Sequence, residues 1–239
     1  MTCYEPLYAR LAHKRVKLSI VIEHPRNLPT IEVRKEHMKK VLIGMPTVGN
    51  IPTQTVAALM QLRNRMGNPQ VAFINNSLVY DARNEICLQA INEGFDEVLF
   101  IDSDMIFPDD AYEKLEALDS DIATGIYYGR AGRHIPIVYT KVIPRSEGKG
   151  AEAVYKVEIP SGTFTVEGCG MGLCLIRTEV IKELCKAHNN APFEPFLGLG
   201  EDLAFCYRAT QSGFKIKANA YIPLSHIGTA IYTAKDYQR

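Results

Sequence analysis

Two carboxylates one residue apart, Asp102 and Asp104, follow directly on the apolar run VLFI at residues 98–101. Apolar runs of this length are typical of buried strands, so both acids are predicted at a strand end. Side chains at positions i and i+2 can face one cation, and carboxylate oxygens suit Mg²⁺ or Mn²⁺, which also bind substrate phosphates. The pair therefore predicts a metal-assisted phosphate site. The alternative is a capped turn, because D-x-D sequences are common in solvated loops.

A second acidic pair, Glu201 and Asp202, stands in the segment GEDLAF after Gly198 and Gly200. The glycines would let the backbone approach a substrate closely. Acids are also favoured in the first turn of a helix by the macrodipole, which is the structural alternative.

Two basic side chains complete the set of candidates. Arg83, in DARN, carries a guanidinium fork that suits a diphosphate or sugar hydroxyls, although an ion pair with Asp81 or Glu85 on a surface helix is the alternative. His226, in PLSHIG, is a single histidine near a predicted strand end and could be a metal ligand or a structural hydrogen-bonding group.

The composition restricts the class of protein. The chain has 27 Lys and Arg against 27 Asp and Glu, which argues against a nucleic-acid partner, although the basic excess in residues 1–40 leaves a phosphate-binding arm as an open alternative. Six cysteines without a C-x-x-C pair predict reduced thiols in a cytoplasmic protein. The apolar run 16–22 is too short for a membrane span.

The elements that must position these residues alternate between strand-like and helix-like patterns. Strands are predicted at 39–47, 70–77, 96–102, 121–129 and 215–228, and helices at 51–67, 81–95, 108–118 and 200–213. Residues 172–187 are predicted as a strand that leads into a helix. Residues 136–142 and 153–159 are predicted to pair as antiparallel strands around the loop 144–150. The helix at 108–118 is expected to begin at Pro108.

This alternation predicts an α/β fold with a mainly parallel central sheet, flanked by helices, and a small antiparallel extension. Residues 39–239 are expected to form one domain, and residues 1–38 an extension that could add a strand. In such sheets ligands bind beyond the carboxyl ends of the strands, which is where Asp102 and Asp104 are predicted to lie.

Six segments in order resemble the GT-A fold glycosyltransferases that use nucleotide-diphospho-sugars, especially those of the family 2 type. They are VLIGMPTVGN, ARNEI, VLFIDSDMIFPDDAYEKL, VEGCGMGLCLIRTEVI, LGEDLAFCYRATQSGFKI and SHIG, spread over about residues 40–230. The resemblance implies a Rossmann-like GT-A domain and a metal-dependent transferase.

The resemblance also assigns residues to the donor. It implies that a UDP- or GDP-sugar binds at Pro46, Thr47, Asn76, Arg83, Asp102, Ser103 and Gly168. The turn after the first strand would hold the base and ribose, and the segment EGCGMG at residues 167–172 could line the donor-sugar pocket.

The resemblance further implies a Mn²⁺ or Mg²⁺ ion on Asp102, Asp104 and His226. Asp202 would be the catalytic base, with Glu201 as its neighbour and a possible acceptor-binding group. The acceptor would be a hydroxyl of a glycan, lipid or small molecule, and transfer would proceed with inversion.

Several other functions are compatible with the sequence. A retaining GT-A transferase would use the same acids without a base, and a sugar-phosphate nucleotidyltransferase would normally have a basic glycine-rich segment after the first strand, which MPTVGNIPTQT lacks. A non-catalytic sugar-nucleotide-binding protein is a further alternative.

Overall fold

The computed structural model describes residues 39–75, 78–130, 135–146, 149–155 and 158–228, together with the backbone of 19–20 and 31–32. The chain divides into two compact units, residues 1–39 and 40–239. In the first unit, two short strands pair antiparallel, β1 (Ser19–Ile20) and β2 (Ile31–Glu32). All the candidate site residues belong to the second unit.

The second unit alternates strands and helices as the sequence predicts. Its strands are β3 (Val41–Thr47), β4 (Gln70–Asn75), β5 (Glu97–Ile101), β6 (Met105–Ile106), β7 (Ile122–Gly125), β8 (Val138–Ile143), β9 (Glu152–Tyr155), β10 (Thr163–Val166), β11 (Gly168–Cys169), β12 (Leu173–Arg177), β13 (Ile216–Asn219) and β14 (Ser225–His226). Its helices are α1 (Thr53–Arg65), α2 (Val79–Asn92), α3 (Ala111–Glu116), α4 (Thr178–Ala187) and α5 (Glu201–Gln211).

Within the described residues, the central sheet has seven strands in the order β10-β13-β7-β12-β5-β3-β4. Strands β3, β4, β5, β7 and β13 run in one direction, and β10 and β12 run against them. The predicted mainly parallel α/β sheet is therefore confirmed. Because β12 is reversed, its amino end lies at the same edge as the carboxyl ends of β5 and β7.

Helices cover both faces of this sheet. On one face α2, α4 and α5 pack on side chains such as Leu42 and Phe100, and on the other α1 and α3 pack on Ile43 and Leu99. Successive residues of one strand thus contribute to opposite layers of the core. Burial on both faces explains why these strands appear in the sequence as continuous apolar runs.

Two small sheets extend the edge of the central sheet where the site residues lie. Strands β11, β8 and β9 form a three-stranded antiparallel sheet, as the predicted pairing around the loop 144–150 requires, and β6 pairs with β14. No helix in the described part of the chain combines the length and apolar composition needed to cross a bilayer.

Several predicted elements are shorter than expected, and for two of them the local cause is visible. Helix α3 begins at Ala111 and not at Pro108, because the Pro108 carbonyl accepts a hydrogen bond from the Ala111 N–H in a preceding turn. The last predicted strand is divided into β13 and β14. The division follows from a turn in which the Asn219 side chain accepts from the Tyr221 N–H at 2.8 Å, followed by Pro223, which has no N–H to donate to a ladder.

Close packing of α2 on β3 places Arg83 at the site. Gly44 in β3 has no side chain, and a Cβ there would lie 2.6 Å from Ile86 Cγ2 of the helix. Ile86 is three residues after Arg83, on the next turn of α2. The glycine therefore allows the helix to approach the sheet and bury Arg83 beneath its edge.

Candidate active site

Asp102 is fixed at the point where β5 ends and β12 begins. Ile101 pairs with Leu173 at this edge, and one residue further the Asp102 N–H donates to the Gly172 carbonyl at 3.1 Å. The carboxylate follows a strand that is buried along its whole length. Its direction is therefore set by the rigid sheet.

Asp104 is fixed by a different partner, the short strand β14. Met105 pairs with His226 across the β6–β14 ladder, and the Ile227 N–H donates to the Asp104 carbonyl at 2.8 Å. This ladder brings His226, 122 positions later in the chain, next to Asp104. The two predicted metal-binding residues are therefore neighbours.

Arg83 connects the D-x-D segment with the acidic pair of α5. Its side chain is 2% exposed, and Nη2 donates to Asp102 Oδ1 at 2.9 Å. Nη1 donates to Glu201 Oε1 at 3.1 Å and to Asp202 Oδ1 at 2.5 Å. These partners differ from the predicted alternatives, Asp81 and Glu85. One buried guanidinium thus gathers three carboxylates from two distant parts of the chain.

Asp202 is the most strongly perturbed of these acids. Burial disfavours its ionised form and raises its pKa to about 7, with Arg83 acting against this rise and the charges of Asp102 and Glu201 adding to it. Its second oxygen, Oδ2, accepts from the Met171 N–H at 3.3 Å. A carboxyl group that titrates near neutrality can take up a proton from a substrate at physiological pH.

Asp104 faces His226 and Arg130. Its Oδ1 lies 3.4 Å from His226 Nε2, and its Oδ2 lies 2.7 Å from Arg130 Nη1. His226 Nδ1 lies 3.0 Å from the Tyr128 carbonyl, which can only accept, so Nδ1 carries the proton. In the neutral imidazole Nε2 then points a lone pair toward the carboxylate, and a metal-binding histidine is commonly held in this way.

These contacts decide whether the residues fit the metal that the resemblance implies. Among the described residues, no three His, Cys, Asp or Glu side chains form a ready metal-binding group. Mn²⁺ and Mg²⁺ do not need one, since they bind through one or two protein ligands and the phosphates of a substrate. Asp104 and His226 offer such ligands, and Asp102 Oδ2 accepts no hydrogen bond from the described residues. The site fits a divalent cation that arrives with its substrate.

A pocket of about 190 Å³ opens beside Asp202. Its lining comprises Ile137, Tyr139, Cys169, Gly170, Gly200, Glu201, Asp202 and Leu203. It joins the first turn of α5 to the segment before β12 and to the three-stranded sheet. The lining is mostly uncharged except for the two acids, so a neutral hydroxyl-bearing group could reach Asp202 there.

Tyr127 supports the site, and sequence reasoning missed it. Its buried ring lies against the backbone of the segment before β12, where a Cβ on Gly170 or Gly172 would lie within 3 Å of ring or hydroxyl atoms. The hydroxyl accepts from the Gly172 N–H at 3.3 Å, and the ring meets His226 edge-on with centroids 5.3 Å apart. The glycines of EGCGMG therefore make room for Tyr127, and that segment was the only sequence signal for it.

The remaining predicted donor residues lie around the same edge. Pro46 and Thr47 end β3, and Thr47 Oγ1 accepts from the Gly49 N–H at 3.2 Å. Ser103 is half-buried in the turn between the two aspartates. Gly168 is buried against Val142 and Leu203 and does not line the pocket.

One predicted donor residue, Asn76, lies outside the described residues. In contrast, sequence reasoning did not single out the contact of Arg130 with Asp104 or that of the Met171 N–H with Asp202. Neither could be found from residue type and spacing, because each depends on how a loop folds back over the sheet edge.

Comparison with known proteins identifies the fold without a sequence family. No protein-family model and no curated protein matches the sequence. The structure is similar to that of A197 from STIV, with a TM-score of 0.57 and 20% identity over 80% of this chain and 86% of that chain.

It is also similar to GalNAc-T7, whose structure was determined with UDP, GalNAc and Mn²⁺, with a TM-score of 0.53 and 12% identity over 85% of this chain. The match spans 46% of the GalNAc-T7 chain, less than half of its length. A third likeness, to the inositol-1-phosphate CTP transferase from T. maritima, has a TM-score of only 0.43 and 10% identity and carries no weight. The chain thus has a mixed α/β fold that is GT-A-like.

Proposed function

We propose that this protein is a metal-dependent glycosyltransferase that moves a sugar from a nucleotide-diphosphate donor to an acceptor hydroxyl with inversion. The observation that carries the proposal is the Arg83 cluster, in which the D-x-D residue Asp102 and the acid Asp202 bind one guanidinium. A donor-side carboxylate and a proton-accepting carboxylate are then held in one site, as an inverting transfer requires.

Asp202 has the chemistry of the base in this reaction. Its carboxylate would remove the proton of the acceptor hydroxyl while that oxygen forms a bond to the anomeric carbon and the bond to the donor diphosphate breaks. With a pKa of about 7, it is partly ionised at neutral pH and strong enough to accept the proton. The Met171 N–H and Arg83 hold its two oxygens in place.

Asp104 and His226 would hold the divalent cation, with Asp102 completing the protein ligands. When bound, the cation supplies positive charge for the leaving diphosphate. Pro46 and Thr47 at the end of β3 would contact the base and ribose, and the pocket beside Asp202 would admit the acceptor hydroxyl. Because GalNAc-T7 binds UDP and Mn²⁺, UDP-sugars are the first donors to test.

The proposal is tested by thermal unfolding with UDP-, GDP-, CMP- and dTDP-sugars, each with and without Mn²⁺. We expect one nucleotide class to raise the melting temperature only when Mn²⁺ is present, because the ion links the donor phosphates to Asp104. The shift should be lost in Asp104→Ala. Asp109→Ala is the matched control, since Asp109 pairs at the surface with Arg65 and should leave the shift unchanged.

Other outcomes identify the alternatives. Full activity of Asp104→Ala in the presence of EDTA would contradict the metal-dependent mechanism. Donor binding without hydrolysis or transfer to any acceptor would indicate a sugar-nucleotide-binding protein, and activity with a nucleoside triphosphate and a sugar phosphate would indicate a nucleotidyltransferase. The anomeric configuration of the product distinguishes inversion from retention.

A further inference from the structure

We infer that Arg83 is a positioning residue that holds Asp102 and the base in one cluster, so that the two carboxylates lie close enough for the charge on Asp102 to act on Asp202. This inference rests on the proposed function in one respect, because Asp202 acts as a base only in that reaction. The contacts themselves do not depend on it. In this arrangement the guanidinium belongs to the protein's own carboxylates and does not serve as a ligand of the donor diphosphate.

Arg83 contacts three carboxylates through the two terminal nitrogens of its guanidinium. Arg83 uses Nη2 for Asp102, and Nη1 for both Glu201 and Asp202. At 2% exposure it is screened from water, so these short contacts act at a low effective dielectric. The partners lie 19 and 119 positions away in the sequence. The contacts therefore connect two parts of the site that are distant in the sequence.

The negative groups around Arg83 outnumber its single positive charge. One guanidinium faces three carboxylates, which would leave an excess of two negative charges if all three were ionised. In this partly buried cluster an excess of negative charge is unfavourable, and it is relieved when one carboxyl group holds a proton. Asp202 is the group whose pKa is raised to about 7. Any change in the charge of Asp102 should therefore be felt at Asp202.

Two phenols and two thiols near Asp202 are neutral at physiological pH. Besides Arg83, Asp102 and Glu201, the titratable groups near it are Tyr127, Tyr139, Cys169 and Cys206. The pKa of each of these phenols and thiols is raised, mainly by burial for the phenols. For the thiols the main causes are hydrogen bonds between thiols, with Cys174 for Cys169 and with Cys169 for Cys206, followed by burial. These phenols and thiols carry no charge at neutral pH. The largest charge effects on Asp202 thus come from Arg83, Asp102 and Glu201.

Asp104 provides a matched control within the same motif. It lies two residues from Asp102, but its contacts are with Arg130 and His226 and not with Arg83. Replacing either aspartate by asparagine removes one negative charge from the D-x-D segment with almost no change in shape. Only Asp102→Asn removes a partner of the shared guanidinium.

The experiment is a pH titration of the Asp202 side-chain carboxyl by ¹³C NMR in metal-free protein without donor, with the signal assigned through Asp202→Asn. Asp102→Asn should lower the pKa of Asp202 by about one pH unit, and Arg83→Gln should raise it by about as much, from the usual size of neighbouring-charge effects. Asp104→Asn should change it far less. Arg177→Gln, which breaks surface pairs with Asp119 and Asp121, should leave it unchanged.

A double variant tests whether Arg83 is what holds Asp102 close enough for its negative charge to repel that of Asp202. In the Arg83→Gln background, Asp102→Asn should change the pKa of Asp202 no more than Asp104→Asn does in the wild-type protein. An undiminished change there, or equal changes for Asp102→Asn and Asp104→Asn in the wild-type background, would overturn the inference. If Arg83→Gln fails to fold, as judged by circular dichroism, Arg83→Lys replaces it, since lysine keeps the charge but cannot reach both sides as a fork.

The pKa of Asp202 measured in this titration does not depend on whether the protein transfers sugars. No donor or acceptor is present, so failure of the proposed function would show in the donor screen while the titration still reports on Arg83. Conversely, Asp202 could have the same pKa in the wild type and in Asp102→Asn while the protein still transfers sugars. That outcome would contradict this inference and leave the proposed function intact.

Discussion

At the scale of single residues, Asp202 combines two requirements that usually conflict. A base must be ionised to act, yet it must hold a proton strongly enough to remove one from a hydroxyl. Burial moves the pKa of Asp202 upward, and Arg83 moves it in the opposite direction. The outcome of about 7 lies where both requirements are partly met.

Asp202→Asn should therefore abolish transfer while leaving donor binding intact. The amide can still accept a hydrogen bond from Arg83, but it cannot take up a proton. Donor binding by thermal shift and product formation by chromatography measure the two effects separately. Unchanged turnover in this variant would assign the base to another residue, of which Glu201 is the nearest candidate.

The same pKa predicts how activity depends on pH. The wild-type rate at low substrate concentration, kcat/KM, should rise with pH and level off above about 7, because only the ionised carboxylate accepts a proton. A rate that is independent of pH between 5 and 9 would contradict this role for Asp202.

Stability should depend on pH in the opposite direction. The pKa of Asp202 in the folded protein is above its ordinary value of 3.8, so protonation favours the folded state. This contribution is complete below the ordinary value and is lost as the pH rises through about 7. The free energy of unfolding of the wild type, compared with that of Asp202→Asn at each pH, should decline across this range in urea titrations.

At the scale of elements, the segment before β12 shows how a backbone can be shaped by one side chain. Gly170→Ala would place a Cβ 2.0 Å from the Tyr127 hydroxyl oxygen, and the ring cannot retreat because it is buried. We expect a loss of about 1–3 kcal/mol in the free energy of unfolding, typical of overpacking. Gly150→Ala is the control, since a Cβ there would meet no atom within 4 Å, and urea denaturation of both variants makes the comparison.

Much of the element order can be predicted from the sequence. The buried runs that became β3, β5 and β12 are apolar on both faces, and α4 shows a clear apolar stripe that includes Val180, Ile181 and Leu184. The direction of β12 could not be predicted, because the run LCLIR is buried in the same way whichever way it lies between its neighbours.

The candidate acids, Arg83 and His226 could be selected from the sequence, but most of the contacts between them could not. Asp102, Asp104, Asp202 and His226 stand out by residue type and position. The partners of Arg83 could not be identified from the sequence. Residue spacing does not show which carboxylate will contact a guanidinium when the two are 119 positions apart. For the same reason Tyr127 could not be selected from its strand-like surroundings.

At the scale of the whole molecule, the core and every described site residue belong to residues 40–239. We therefore predict that a chain starting at Lys40 folds on its own and keeps the metal-dependent thermal shift of the full chain with the same donor. Calorimetric unfolding of the two proteins provides the measurement. Loss of a cooperative transition in the shorter chain would show that residues 1–39 are needed for folding.

The Arg83 cluster also constrains the order in which the protein can be completed during synthesis. Arg83 leaves the ribosome long before Glu201 and Asp202, its partners in α5. Until those acids emerge, burying the guanidinium would leave a charge that only Asp102 could compensate. The nascent chain should therefore keep α2 loosely docked and accessible to chaperones. Full burial of Arg83 awaits translation of α5.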